Sequence, residues 1–230
     1  MGYVTEIVAG SIADIIFHNA ENGYTIAVFE TDEEQCTVVG TIPAPAKGMK
    51  LKLTGSFIMH KQYGEQFKFT EYEEVLPSDA AAIESFLKTG AIKGIGPKLA
   101  RAIVLVYGDK TLDVLNDTEK LIAVDGIGKK KAAKIAGSFA AHREFAAVSA
   151  ELTAYGVKTE HAIKLYRHYG SDTLDIVKEN PYRLVDDVFG IGFRTADEIA
   201  MKLGVDSNDP FRIKSGIKYA LSYFVSEGNV

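Results

Sequence analysis

Apolar and polar positions follow two different periods along this 230-residue chain, and the change falls near residue 78. Before it, apolar residues alternate with polar ones. The alternation runs through Val4-Thr5-Glu6-Ile7, Ile12-Ala13-Asp14-Ile15, Tyr24 to Phe29, Cys36 to Ile42, Met49 to Met59 and Gln66 to Tyr72. Turn-forming residues interrupt it at Glu21-Asn22-Gly23, Asp32-Glu33-Glu34, the Pro43 to Gly48 stretch and Tyr63-Gly64. A period of two broken by such residues predicts five short strands over residues 3–76. From Ser78-Asp79, a good helix N-cap, the period becomes helical. A first helix over Asp79 to Lys88 is stopped by Thr89-Gly90. A last one begins at Asp209-Pro210 and carries Ile213, Ile217, Leu221 and Phe224 on one face.

Five strands in so short a span predict a small closed or half-closed barrel, so the chain is an α+β multidomain protein with its β part first. An OB-like barrel is the preferred arrangement and an SH3-like barrel the alternative. The link between strands three and four is too short for the helix that many OB-folds place there. Gly10 and Gly55 would let strands bend sharply around the barrel. Tyr24, Phe57, Tyr63, Phe67, Phe69 and Tyr72 could be base-stacking platforms. The plainer reading of them as core aromatics is preferred, because residues 1–78 carry a net charge of −6.

The helical part repeats itself. Ile92-Lys93-Gly94-Ile95-Gly96-Pro97-Lys98-Leu99-Ala100-Arg101-Ala102-Ile103 returns as Val124-Asp125-Gly126-Ile127-Gly128-Lys129-Lys130-Lys131-Ala132-Ala133-Lys134-Ile135. It returns again as Val188-Phe189-Gly190-Ile191-Gly192-Phe193-Arg194-Thr195-Ala196-Asp197-Glu198-Ile199. Each copy is an apolar residue, a spacer, Gly-Ile-Gly, three residues, then Ala-x-x-Ile. Two glycines around one Ile predict a sharp turn using positive φ, followed by a helix with the Ala and Ile on one face. This is a helix-hairpin-helix unit. Tyr155-Gly156-Val157-Lys158 heads a degenerate copy in which Lys158 replaces the second glycine. Tyr107 to Val114 also matches Tyr169 to Ile176, 62 positions on. The helical part therefore reads as a duplicated pair of hairpins, each pair joined by a connector helix. The predicted organisation is a barrel over 1–77, a first pair over 78–143, a partly degenerate second pair over 144–207 and a linker helix over 208–230.

A Gly-x-Gly turn opening a helix presents unpaired N–H groups and the positive end of the helix dipole, which suit a phosphate. Glycine keeps side chains out of the phosphate's way, and first-turn Lys or Arg adds charge and counterion release. No such contact reads a base, so the expected binding is independent of sequence. The candidate DNA contacts are Lys93, Gly94, Gly96, Lys98 and Arg101 in the first hairpin. In the second they are Gly126, Gly128, Lys129, Lys130, Lys131 and Lys134, and in the fourth Gly190, Gly192 and Arg194. Residues 79–140 carry +3 and residues 141–230 carry −2, although the chain as a whole carries −5. The first pair is therefore the expected phosphate binder. The second, where Arg194 is followed by Asp197 and Glu198, is expected to be largely structural.

Other chemistries are excluded. Around Gly128-Lys129 a Walker A loop fails, because Ala123 stands where its first Gly should be and Lys130 where Ser or Thr should be. No Gly-x-Gly turn follows a strand, which excludes a dinucleotide fold. His18, His60, His142, His161 and His168 lack metal-ligand spacing, and Cys36 is the single cysteine. No catalytic constellation or metal site is found. The apolar runs are far shorter than the roughly 20 residues of a membrane span, and the N-terminus has no signal-peptide pattern, so a cytoplasmic location is expected.

Several stretches, in this order, resemble the N-terminal extension of long RecD-like superfamily 1 DNA helicases. They are Ile15 to Thr25, Val38 to Pro43, Tyr63 to Phe67, Gly90 to Pro97, Glu179 to Leu184 and Val188 to Asp197. The resemblance covers essentially the whole chain. It implies a non-catalytic DNA-binding region of an ATP-driven 5′–3′ helicase in repair or recombination. ATP and Mg would belong to motor domains beyond residue 230, and single-stranded or forked DNA would be the ligand. The alternatives are a branched-DNA-binding protein similar to RuvA, which has one hairpin pair, and a docking module for a repair partner such as single-strand-binding protein.

Overall fold

The computed structural model describes residues 5–226; Val4, where the first predicted strand begins, and the closing Gly228-Asn229-Val230 lie outside them. Five strands form: β1 (Glu6–His18), β2 (Tyr24–Glu30), β3 (Gln35–Thr41), β4 (Lys50–His60) and β5 (Gly64–Glu74). They close into a barrel in the order β1-β2-β3-β5-β4. β1 serves twice, pairing antiparallel with β4 over Glu6 to Ser11 and with β2 over Ser11 to His18. β3 and β5 pair parallel, with Val38 opposite Phe67. That parallel pair, with β1 closed on β4, gives the OB arrangement and removes the SH3-like alternative.

Closure depends on two close backbone approaches. A Cβ on Gly10 would sit 2.2 Å from the Glu30 carbonyl oxygen, and one on Gly55 2.2 Å from that of Lys68. The β4–β5 register shifts at Gly55. These glycines let one strand ride directly over the next where the barrel curves. Inside lie Ile12, Phe29, Val38, Leu51, Leu53, Phe67 and Phe69. Of the candidate aromatics, Phe67 and Phe69 are buried and Phe57 and Tyr72 pack against them, which fits the core reading. Tyr24 and Tyr63 are exposed, as are Phe17 and Met59.

Ten helices follow among the described residues: α1 (Ala80–Lys88), α2 (Pro97–Tyr107), α3 (Thr111–Val114), α4 (Thr118–Ile122), α5 (Lys129–Ala154), α6 (Thr159–Tyr169), α7 (Thr173–Glu179), α8 (Arg183–Asp187), α9 (Phe193–Lys202) and α10 (Pro210–Ser226). Asp79 caps α1 by accepting from the Ala82 N–H at 2.9 Å, and Asp209 caps α10 by accepting from Phe211 at 2.8 Å. The fold divides into two units, one through Phe145 and one from Ala146. α5 runs through this division without a break, so the predicted junction at 143/144 falls inside a 26-residue helix.

In the first unit, Ile83, Leu87, Ile92, Ile103, Leu121, Ile135 and Phe139 form one core under the first two hairpins. His142 on α5 meets the end of the barrel, its Nε2 lying 2.8 Å from Glu74 Oε2. In the second unit, Leu152, Val157, Leu165, Val177, Leu184, Ile191 and Ile199 repeat that pattern. The duplication extends to single hydrogen bonds. Gly108 and Gly170 both take positive φ, at 53° and 59°. Three residues on, the hydroxyls of buried Thr111 and Thr173 donate to the Gly108 and Gly170 carbonyls at 2.7 and 2.6 Å.

The second unit also holds an ionic anchor. Asp197 accepts from Arg212 Nε at 2.8 Å and from the Tyr182 hydroxyl at 2.7 Å. The Arg212 hydrogen bonds, and secondarily that of Tyr182, hold the Asp197 carboxyl below the usual carboxylate range. Because the folded pKa is depressed, the stabilisation is complete above the unfolded value of about 3.9 and is lost as pH falls through the lower folded value. Thermal melts between pH 6 and pH 3 should show the wild-type chain losing more stability than Asp197→Asn over that interval; parallel curves would remove this carboxylate from the acid dependence.

The predicted apolar stripe of α10 is present but uncovered, with Ile213, Ile217, Leu221 and Phe224 each at least half exposed. No helix among the described residues is long and apolar enough to cross a membrane.

Candidate nucleic-acid interface

Each hairpin turn places its first glycine in the left-handed region: φ is 100° at Gly94, 82° at Gly126, 78° at Gly156 and 91° at Gly190. A side chain there would be strained, so the fold itself requires these glycines. The second glycine behaves differently, which corrects the expectation that both use positive φ. Gly96 and Gly192 are helix N-caps in extended backbone, at φ −104° and −91°, and Gly128 is also outside the positive-φ set. Lys158 occupies the equivalent place in the degenerate hairpin with the same kind of backbone, which is why losing that glycine did not abolish the turn. Any residue could adopt the conformation of Gly96, Gly128 or Gly192. Nothing lies within 4 Å of where a Cβ would be at any of the three.

Above these glycines only part of the first-turn N–H groups are paired. Leu99 and Ala100 both donate to the Gly96 carbonyl, and Lys131 and Ala132 to that of Gly128. The N–H groups of Gly128, Lys129 and Lys130 find no acceptor among the described residues, as expected at a helix start. Pro97 removes one donor from the first hairpin, leaving the second better equipped.

The first two turns form one surface. A Cβ on Gly94 would lie 3.2 Å from Ile135 and 3.7 Å from Lys134, and the Lys93 N–H donates to the Ser138 hydroxyl at 2.8 Å. The first turn thus rests on α5 beside the second hairpin's own lysines. Lys93, Lys98, Arg101, Lys129, Lys130 and Lys134 are all exposed. Lys131 is exposed too, but its ammonium donates to the Gly126 carbonyl at 3.0 Å and clamps the turn. Asp125, exposed on the same turn, sets one negative charge among these cations.

The fourth hairpin belongs to the second unit. Sequence left it only Arg194, with Asp197 and Glu198 as opposing charges. The structure revises both points. Asp197 is neutralised by Arg212, and Lys164 of α6 donates to the Phe189 carbonyl at 3.2 Å. Lys164 stands 25 residues from its partner, and no local pattern marks it. The third turn carries its own cation cover, since a Cβ on Gly156 would lie 2.1 Å from Lys202 Nζ. No group of three or more His, Cys, Asp or Glu side chains able to hold a metal occurs among the described residues.

Comparison with known families matches residues 5–77 to the OB-fold domain of the ATP-dependent DNA helicase YrrC. Residues 86–141 match the SAM-like helix-hairpin-helix tandem. Residues 141–230 match the helix-hairpin-helix domain of the ATP-dependent RecD2 DNA helicase. Among individual proteins, the chain is 26% identical over 223 residues to the ATP-dependent RecD2 DNA helicase of Deinococcus radiodurans. The match covers 93% of this chain and 31% of that relative, so the chain spans under a third of the relative's length.

Proposed function

Because this chain belongs to the N-terminal region of the RecD-like DNA helicases, we propose that it is the non-catalytic DNA-binding part of an ATP-dependent 5′–3′ helicase acting in repair or recombination. Hairpins one and two hold backbone phosphates of single-stranded or forked DNA, without reading sequence. ATP and Mg serve motor domains elsewhere in the whole protein. The observation that carries this reading is the vacant space over Gly96 and Gly128. Neither backbone conformation nor packing requires glycine there, whereas a phosphate approaching bare N–H groups does. The seven exposed cations around the two turns supply the charge.

Fluorescence anisotropy with labelled single-stranded and forked oligonucleotides tests it. Two to four engaged phosphates give a log–log salt slope of roughly −2 to −4. Gly96→Ala and Gly128→Ala should melt within about 0.5 kcal/mol of the parent, since neither position is strained, yet bind DNA several-fold more weakly. Unchanged affinity in both variants would sink the phosphate cradle.

The branched-DNA alternative similar to RuvA draws no support from residues 141–230, which match the RecD2 hairpin domain. The alternative reading, a docking module for a repair protein such as single-strand-binding protein, would use the barrel, where Ile16, Phe17, Met59 and Tyr63 are exposed on a net acidic domain.

A further inference from the structure

The fourth hairpin departs from the other Gly-Ile-Gly turns at its spacer position. Lys93 and Asp125 hold that place in the first and second hairpins, and Phe189 holds it here. Phe189 is 97% exposed at the tip of the turn, although its neighbours Val188 and Ile191 are buried at 6% and 3%. Packing does not account for it, because the ring touches no core. Nor does turn geometry, because two polar residues fill the same place in the other copies. A ring held this far into water is poised for a partner with a flat apolar face.

The surroundings identify the partner. Beneath Phe189 lies a concavity lined by Lys164, Arg167, His168, Asp187 and Val188. Its one carboxylate, Asp187, is already committed to Arg183 at 2.7 Å and to the Tyr169 hydroxyl at 2.8 Å. Lys164 is fixed against the Phe189 carbonyl, and Arg194 is exposed at the second position of the helix after the same turn. An aromatic face bordered by cations, with the local acid neutralised, matches a nucleotide with its base turned outward. Paired bases hide their faces in the stack, so the ring can be used only where DNA is unpaired.

We infer that the fourth hairpin is a single-strand contact, in which the Phe189 ring stacks on an unpaired nucleobase while Lys164 and Arg194 hold the flanking phosphates. This rests on the DNA-binding reading above. It adds a site in the second unit and a preference for single-stranded over duplex DNA that the phosphate cradles cannot give.

The 230-residue chain contains no tryptophan, so Phe189→Trp installs a single, selectively excitable tryptophan at the proposed stack. Titration with single-stranded oligo-deoxythymidine should quench its emission with the midpoint that anisotropy reports. Phe189→Ala should weaken single-strand binding about tenfold and leave blunt-duplex binding unchanged, with Phe189→Trp restoring the loss. Binding by anisotropy with unaltered tryptophan emission, or single-strand affinity unmoved by Phe189→Ala, overturns the inference and leaves the first-pair cradle standing. Absence of any DNA binding removes both. A tryptophan that responds to an acidic aromatic peptide and not to the oligonucleotide assigns the site to a protein and overturns the inference as well.

Discussion

Replacing Lys129, Lys130 and Lys134 together by alanine should lower affinity for forked DNA by about 100-fold at low salt and flatten the log–log salt slope by about 2 to 3. The three are exposed on the first turns of α5, beside N–H groups that have no acceptor of their own. Lys134 also lies against Gly94 of the first turn, so the substitution depletes both cradles at once. Lys131, prominent in the sequence as part of the Lys129-Lys130-Lys131 run, is left in place. Its bond to the Gly126 carbonyl would confound turn stability with binding. The matched control removes the same charge from the barrel through Lys50, Lys52 and Lys68. Isothermal titration or anisotropy across a salt series should find the control close to the parent. An equal loss in both triple variants would mean that net charge governs binding and hairpin geometry does not.

Gly10→Ala and Gly55→Ala should each destabilise the barrel by about 3 kcal/mol or more. In both cases the added Cβ would lie 2.2 Å from a carbonyl oxygen of the neighbouring strand, and backbone, unlike a side chain, cannot rotate away. Gly40→Ala is a graded comparison. Its Cβ would meet the Phe69 ring at 2.5 Å, and a ring can shift within the core at smaller cost, about 1–3 kcal/mol. Chemical denaturation of the three variants should rank Gly10 and Gly55 well below Gly40. If all three melt alike, the close approach of the strands does not control barrel closure. These variants also contrast with Gly96→Ala and Gly128→Ala, whose added methyl groups meet nothing.

The two glycines of each hairpin motif look equivalent as text. Conformation separates them: the first serves the fold through positive φ, and the second opens the helix without positive φ and with open space around it. Likewise, the acidic run behind Arg194 reads as repulsion along the chain. In space Asp197 is paired with Arg212 and accepts from Tyr182, while Lys164 joins Arg194 at the fourth hairpin and Glu198 stays exposed.

The periods, turn residues and repeats of the sequence determined by themselves the five strands and the places of the hairpin turns, because each is set by interactions within a few residues. The 62-residue duplication was equally legible, since copies of a sequence fold to copies of a structure, down to the Thr111 and Thr173 hydroxyl bonds. The tertiary structure alone decided that β3 runs parallel to β5, that the first turn rests on α5, that Lys164 reaches the fourth turn and that Phe189 is left outside every core. Each of these depends on which distant segments are brought together, and neither spacing nor composition encodes which backbone atom a lysine 25 residues away will reach.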